Sequence, residues 1–192
     1  MTAPQLILTG ASVIDGRGHL ARNTDVHIEG SVITEIGHGE RAPGATVIDV
    51  AGKTVCPGLM NAHVHVCFDG SIDPAPVFQQ ESDVESALNA LPRLTESLGR
   101  GVTTVRDLGG KQNVTVSLAQ AIADGNFVGP RIVPAGRVIT TPGGHGHWMG
   151  IEVDGVDEAR EATRTLISAG AAVIKVMATA GMMTRGQRAG AP

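Results

Sequence analysis

The chain has no tyrosine, one tryptophan and three phenylalanines among its 192 residues. With so few aromatic side chains, the core must consist of Val, Ile, Leu and Ala, which suit a parallel sheet covered by helices. The sequence also lacks a basic run, and its formal net charge is −4. Because nucleic-acid binding usually needs a basic patch and aromatic residues that stack on bases, a nucleic-acid partner is not expected.

Long apolar runs and cysteines are also scarce. No segment approaches the roughly 20 apolar residues that span a membrane, and residues 1–8 lack the positively charged start of a signal peptide. The two cysteines, Cys56 and Cys67, imply no disulfide framework and have no partner at zinc-finger spacing. We therefore expect a cytoplasmic protein without a membrane partner, in which both cysteines are small buried residues.

Residues 5–55 contain short β-branched or alternating segments that predict strands. A hairpin turn is expected at Gly30, where glycine tolerates a positive φ angle. These strands predict a small antiparallel sheet with His27 at its surface. Its apolar contacts are expected to come from Val26, Ile28, Val32 and Ile36.

From about Cys56 the pattern changes to alternating strands and helices. Strands are predicted over residues 59–66, 101–107, 131–140 and 172–179, and apolar residues at helical spacing predict the three helices between them. Pro92 lies inside the first helical pattern and should kink that helix or mark its start. The alternation favours a parallel α/β arrangement. A closed TIM-type (β/α)8 barrel needs about 250 residues, so residues 56–192 predict its first four strands and residues 1–55 an incomplete β-sandwich-like subdomain.

His63 and His65 lie in the first predicted barrel strand, with one residue between them. Residues i and i+2 of a strand point to the same face, and two imidazoles on one face can bind one metal ion such as zinc. By itself this short pattern is more typical of two polar residues on a solvated strand face.

The residues around this pair carry a family resemblance. Residues 55–65 read Val-Cys-Pro-Gly-Leu-Met-Asn-Ala-His-Val-His, which resembles the signature of the amidohydrolase superfamily: a Pro-Gly-Leu entry followed by a metal-binding His-x-His at the end of barrel strand one. The sequence departs from the family at Asn61, where Asp is usual, so a charge beside the ligands is lost. Three later segments, 103–109, 141–145 and 174–181, resemble the branch of imidazolonepropionase-like and Xaa-Pro or Xaa-Arg dipeptidase-like members.

The resemblance assigns a role to Lys175, which lies in a strongly apolar segment. The family's lysine at this place is carbamylated and bridges two metal ions, so the resemblance implies that His63, His65 and Lys175 hold a divalent metal, with zinc preferred. The alternative is a lysine that reaches solvent from a strand end. Within the segment 103–109, Arg106 and Asp107 are expected to form a structural ion pair.

The glycine-rich segment 141–148 follows the third predicted barrel strand, and catalytic loops of such barrels leave the C-terminal ends of the strands. The resemblance implies that His145 polarises the scissile carbonyl or holds the substrate, and His147 is a second substrate-binding candidate. The alternative is a flexible glycine-rich lid in which both histidines are incidental.

As a whole, the resemblance implies a metal-dependent hydrolase that cleaves an amide or peptide C–N bond by metal-activated hydroxide. The expected substrate is a dipeptide or an N-acyl amino acid, with a cyclic amide such as imidazolonepropionate as the alternative.

Family members take two more metal-binding histidines and a general-base Asp from barrel strands five to eight. We therefore expect a truncated chain that requires the C-terminal barrel half, is inactive alone, and forms a homo-oligomer once complete. A degenerate, non-catalytic module that binds a partner through its open barrel edge remains the alternative of a different class.

Overall fold

The computed structural model describes residues 5–41 and 43–181. The chain divides into two units, Met1–Pro57 and Gly58–Pro192. The final residues, 183–192, which we predicted to form a loop, lie outside the described residues. No helix in the described part of the chain is both long and apolar enough to cross a lipid bilayer.

The first unit is a five-stranded sheet in the order β3-β2-β1-β4, with β5 beside β1. Its strands are β1 (Gln5–Ile14), β2 (Leu20–Glu29), β3 (Val32–Ile36), β4 (Thr46–Asp49) and β5 (Thr54–Val55). The first three strands pair antiparallel, as predicted. However, β4 and β5 both pair with β1 in parallel, because the chain crosses back between β3 and β4 instead of forming another hairpin. The sheet is therefore mixed and not wholly antiparallel.

Several side chains of the inner strand β2 are buried in this sheet, whereas those of the edge strand β3 are exposed. Gly30 adopts the predicted positive φ of +59° in the turn that joins β2 to β3. Val26 is buried, but Val32 and Ile36 are exposed because β3 is an edge strand. The surface prediction for His27 is wrong: the residue is 2% exposed, because β2 lies inside the sheet between β1 and β3.

Within its described residues, 58–181, the second unit contains two small parallel sheets, four α-helices and one short 3-10 helix. One sheet has the order β6-β7-β8 and the other β10-β9-β11. The strands are β6 (Leu59–Val64), β7 (Val102–Asp107), β8 (Arg131–Pro134), β9 (Val138–Thr140), β10 (Gly150–Glu152) and β11 (Val176–Met177). The predicted strand 131–140 is divided because Gly136, at φ +67°, turns the chain between β8 and β9.

The helices are α1 (Ala75–Gln80), α2 (Asp83–Gly99), α3 (Val114–Ala123) and α4 (Val156–Ser168). The short α1 was not predicted, whereas α2, α3 and α4 lie where the apolar spacing indicated. Residues from α1, α2 and α3 pack on β7 and β8 in one buried cluster that includes Phe78, Ala90, Leu94, Val105, Leu118 and Ile132. Val64 of β6, the strand that contains His63, packs against this core.

Helix α2 begins at a capping box. Ser82 Oγ accepts a hydrogen bond from Glu85 N at 3.2 Å, and the Glu85 carboxylate accepts one from Ser82 N at 2.8 Å. The helix then continues through Pro92 to Gly99, so Pro92 does not mark its start. Local side-chain chemistry thus determines where the helix begins.

We expect Ser82→Ala to lower the free energy of unfolding by about 1 kcal/mol, because it removes the acceptor for an orphan N–H group. The measurement is urea unfolding followed by the emission of Trp148, the chain's single tryptophan. Ser117→Ala, at an exposed position inside α3, is the matched control and should change stability by less than about 0.5 kcal/mol. Equal effects of the two variants would contradict a capping role.

Candidate active site

His63 and His65 lie at the carboxyl end of β6, and their ring centroids are 5.4 Å apart. This proximity follows from the two-residue period of a strand, which places both rings on one side. Burial lowers the pKa of both imidazoles, and the nearby positive charge of Lys175 lowers both further. Both rings therefore favour the neutral form, which is the form that can bind a metal ion.

His65 is held in one orientation. Its Nδ1 lies 2.9 Å from the carbonyl oxygen of Gly109, and since a carbonyl can only accept, Nδ1 carries the proton and Nε2 keeps the lone pair. The ring also stacks on Phe68, with centroids 4.5 Å apart. Gly109 has a φ of +145°, and a Cβ there would lie 2.7 Å from Val138 Cγ1. Position 109 therefore requires glycine, because any side chain there would overlap Val138 and crowd the His65 ring.

Asp107 anchors the segment that carries His65. Its Oδ1 accepts a hydrogen bond from Val66 N at 3.0 Å, and Leu108 N donates to Val64 O at 2.9 Å. The Asp107 side chain is fully buried, and this burial raises its pKa from 3.8 to about 6. The segments 64–66 and 107–109 are therefore joined by backbone and side-chain bonds on both sides of His65.

The predicted ion pair between Arg106 and Asp107 is not formed. Arg106 Nε donates to Ala62 O at 2.8 Å, whereas Asp107 faces the buried side, because neighbouring residues of a strand point to opposite faces. Sequence reasoning therefore missed the anchoring role of Asp107. The sequence signal for this role is a charged residue at a position of β7 that faces the core.

Lys175 lies just before β11, and its carbonyl oxygen accepts a hydrogen bond from Ile139 N at 2.8 Å. The predicted strand 172–179 is thus reduced to Val176–Met177. The charge of Lys175 lowers the pKa of His145 as well as those of His63 and His65, in each case after the larger effect of burial. The half-buried ammonium therefore lies within electrostatic range of all three imidazoles.

His145 is positioned by a hydrogen-bonded loop. Gly144 N donates to Thr141 O at 2.8 Å, and the hydroxyl of Thr140, at the end of β9, donates to the carbonyl oxygen of His145 at 3.1 Å. Gly181 lies against the His145 ring so closely that a Cβ would overlap it. These contacts favour a defined position for His145 over a loose lid.

His147 has different surroundings. It begins the short 3-10 helix His147–Met149, is exposed, and has its Nδ1 3.3 Å from Glu152 Oε1. The structure therefore brings His145 towards Lys175 and the two strand histidines, and pairs His147 with an acid at the surface. Across residues 5–41 and 43–181, no group of three or more His, Cys, Asp and Glu side chains is arranged to hold a metal ion.

Three of the chain's four Phe and Trp residues meet behind His65. The ring centroids of Phe68, Phe78 and Trp148 are 5.1 to 5.8 Å apart, at distances favourable for aromatic pairs. Sequence reasoning missed this cluster, although the scarcity of aromatic residues was visible in the composition. The cluster supports the ring of His65 through Phe68.

The two cysteines take no part in the site as ligands. Both are free thiols; Cys67 is buried as predicted, whereas Cys56 is exposed. Burial raises the pKa of the Cys67 thiol, so this residue is an inert part of the core at ordinary pH.

Comparison with known proteins gives a consistent result. The model of the amidohydrolase family matches residues 54–192. Ochratoxinase from Aspergillus niger is 29% identical over 217 residues, which cover 93% of this chain and 43% of that protein. A crystal structure of a prolidase complexed with N-methylphosphonate-L-proline superimposes with a TM-score of 0.86 at 34% identity, covering 96% of this chain and 49% of that one. A Xaa-Pro dipeptidase with methionine in its active site gives a TM-score of 0.85 at 27% identity, covering 98% and 50%.

These matches confirm the mixed α/β fold, in which an N-terminal sheet precedes parallel barrel strands. The chain spans about half the length of the relatives it matches. Because the family model covers well over half of the chain, and includes the His-x-His strand and the segment around Lys175, the protein belongs to the amidohydrolase family.

Proposed function

We propose that this chain forms the N-terminal part of a metal-dependent hydrolase that cleaves an amide or peptide C–N bond. The observation that carries the proposal is the pair His63 and His65, with Nδ1 of His65 bonded to the Gly109 carbonyl so that Nε2 keeps its lone pair. An imidazole oriented by a carbonyl in this way is typical of metal-binding histidines. Family membership supports the same reading.

The donor set suits a divalent metal ion, with zinc as the first candidate. His63 and His65 would supply two neutral nitrogens. Lys175 as an ammonium cannot be a ligand. The family resemblance implies instead that carbon dioxide converts its amine into a carbamate, which offers two hard oxygens, and the position of Lys175 near His63, His65 and His145 supports this role. When bound, the metal would lower the pKa of a water molecule and polarise the substrate carbonyl.

The remaining site residues would bind and orient the substrate. His145, held by Thr140 and Gly181, has a lowered pKa, so its neutral ring can donate an N–H to a carbonyl oxygen. His147 would contact the substrate at the outer rim, beside Glu152. The substrate class we favour is a dipeptide or an N-acyl amino acid, since the relatives include proteins named prolidase and Xaa-Pro dipeptidase. A cyclic amide is the second choice.

The relatives are about twice as long as this chain. We therefore propose that residues 56–192 form the first half of the barrel and residues 1–55 an incomplete β subdomain, and that turnover requires the C-terminal barrel half. That half would supply the remaining metal ligands and the general base, and a homo-oligomer of the complete enzyme is the expected assembly.

Metal binding by the chain alone tests the ligand assignment. We expect Co²⁺ or Zn²⁺ to bind weakly, measured by calorimetry and by the visible absorption of Co²⁺, and His63→Ala or His65→Ala to reduce the affinity by about tenfold or more. His19→Ala is the matched control, because this histidine is exposed in the first unit. Unchanged affinity in both His63 and His65 variants would contradict the site.

Activity tests the proposed reaction. The chain alone should not hydrolyse dipeptides or N-acyl amino acids, because we propose that the general base comes from the C-terminal barrel half, and loss of a general base typically costs about 10²–10⁴-fold in rate. Addition of the C-terminal barrel half should produce turnover that His63→Ala abolishes. A correctly assembled protein that binds zinc but hydrolyses no amide would instead favour a non-catalytic binding module.

A further inference from the structure

A cavity lies beside the cluster of Phe68, Phe78 and Trp148, and the proposed reaction does not use it. Its volume is about 230 Å³, and its walls carry two cations, two aromatic rings and two amides: Lys111, Arg137, Phe78, Trp148, Gln79 and Gln112. This volume is below the range of about 300–1,000 Å³ of pockets for drug-sized ligands, so it suits a small molecule. No carboxylate is among the lining residues.

Arg137 lines this cavity, and no carboxylate among the described residues forms an ion pair with it. Its guanidinium donates to the carbonyl oxygen of Gly150, and burial alone lowers its pKa, with no neighbouring carboxylate to oppose that effect. A guanidinium carries five N–H donors in a planar fork that fits a carboxylate. In the part of the chain that the structure describes, the Arg137 guanidinium has one hydrogen-bond acceptor, the Gly150 carbonyl. No negatively charged group there neutralises its positive charge.

Lys111, which also lines the cavity, is held by the end of α1. Its Nζ donates to the carbonyl oxygens of Phe78 and Glu81 and lies 5.2 Å from the centroid of the Phe78 ring. Two positive charges therefore face a small space whose other walls include the rings of Phe78 and Trp148. Cations attract an anion, and flat aromatic walls favour an apolar or aromatic body attached to it.

We propose that this cavity is a binding site for a small carboxylate with an aromatic or apolar body. Arg137 would pair with the carboxylate, Lys111 would add charge, and Trp148 would contact the body of the ligand. Neither His63 nor His65 lines this cavity, and Phe68, which stacks on both His65 and Trp148, connects the two sites. The inference does not depend on the proposed metal or reaction, although amide hydrolysis releases a carboxylate of this class.

Trp148 is the chain's single tryptophan, so its fluorescence reports directly on this cavity. We expect benzoate to change the emission saturably without any metal present, and the neutral isostere benzamide and inorganic phosphate to produce no saturable change. Arg137→Gln should weaken benzoate binding by about tenfold or more, as expected for loss of a charge-assisted pair. Arg131→Gln, which removes an exposed arginine at the start of β8, is the control and should bind benzoate like the wild type.

Three results would overturn the site: no saturable response to benzoate, an equal response to benzamide, or tighter binding of phosphate than of benzoate. Equal benzoate binding by wild type and Arg137→Gln would also refute the role of Arg137. If Arg137→Gln does not fold by circular dichroism, Arg137→Lys replaces it and should still weaken binding, because lysine keeps the charge but loses the planar fork. His63→Ala should leave the benzoate response unchanged, so failure of the metal site and failure of this site are distinguishable.

Discussion

Asp107→Asn is expected to remove a pH-dependent loss of stability of about 3 kcal/mol. The buried carboxyl has its pKa raised from 3.8 to about 6, and each pKa unit corresponds to about 1.4 kcal/mol. The folded protein therefore holds this proton more tightly than the unfolded chain does. The contribution of Asp107 to stability is fully present below pH 3.8 and is lost as the pH rises through about 6. Asparagine keeps an oxygen that can accept from Val66 N but does not ionise.

The measurement is the free energy of unfolding in urea between pH 4 and 7, followed by Trp148 emission. The difference between Asp107→Asn and wild type should shift by about 2–3 kcal/mol in favour of the variant across this range. Asp124→Asn, at an exposed carboxylate, is the control and should show no such trend. Asp107→Ala should be less stable than Asp107→Asn by about 1–3 kcal/mol, because Val66 N–H loses its buried acceptor. A pH-independent difference for Asp107→Asn would show that Asp107 does not titrate in this window.

Leu94→Ala is expected to lower the free energy of unfolding by about 2–5 kcal/mol, the range for removing a buried leucine and leaving a cavity. Leu94 is 2% exposed in the cluster that joins α2 to β7 and β8. Leu88→Ala is the matched control, because Leu88 belongs to the same helix but is 59% exposed. The same urea experiment measures both. Equal losses in the two variants would mean that packing of α2 on the sheet does not stabilise this unit.

The two strand histidines could be predicted because their relation depends on neighbours in sequence. A two-residue period places His63 and His65 together whatever the rest of the chain does, and their rings are 5.4 Å apart. The function implied by this pair came from the resemblance of residues 55–65 to a family signature, and family membership is confirmed. The roles of all five candidate residues, His63, His65, His145, His147 and Lys175, remain proposals.

Contacts between distant residues could not be predicted in the same way. The acceptor of His65 Nδ1 is 44 residues away, at Gly109, and the acceptor of Val66 N is 41 residues away, at Asp107. Sequence spacing does not predict which distant carbonyl or carboxylate will accept a hydrogen bond from a given donor. For this reason sequence spacing favours a pair between Asp107 and Arg106, and it does not indicate that Arg137 lines a cavity.

The sequence by itself determined the local elements of this protein, namely the turn at Gly30, the capped start of α2 at Ser82 and the alternation of strands and helices after Cys56. Each depends on backbone preferences and hydrogen bonds within a few residues. Only the tertiary structure decided which strands became edges, that β4 and β5 run parallel to β1, and that His27 is buried while Val32 is exposed. The same holds for the buried carboxyl of Asp107 and for the guanidinium of Arg137, which donates to a backbone carbonyl and has no carboxylate partner among the described residues. Their burial and charge environment arise from residues far along the chain, which meet only when the sheets and helices pack.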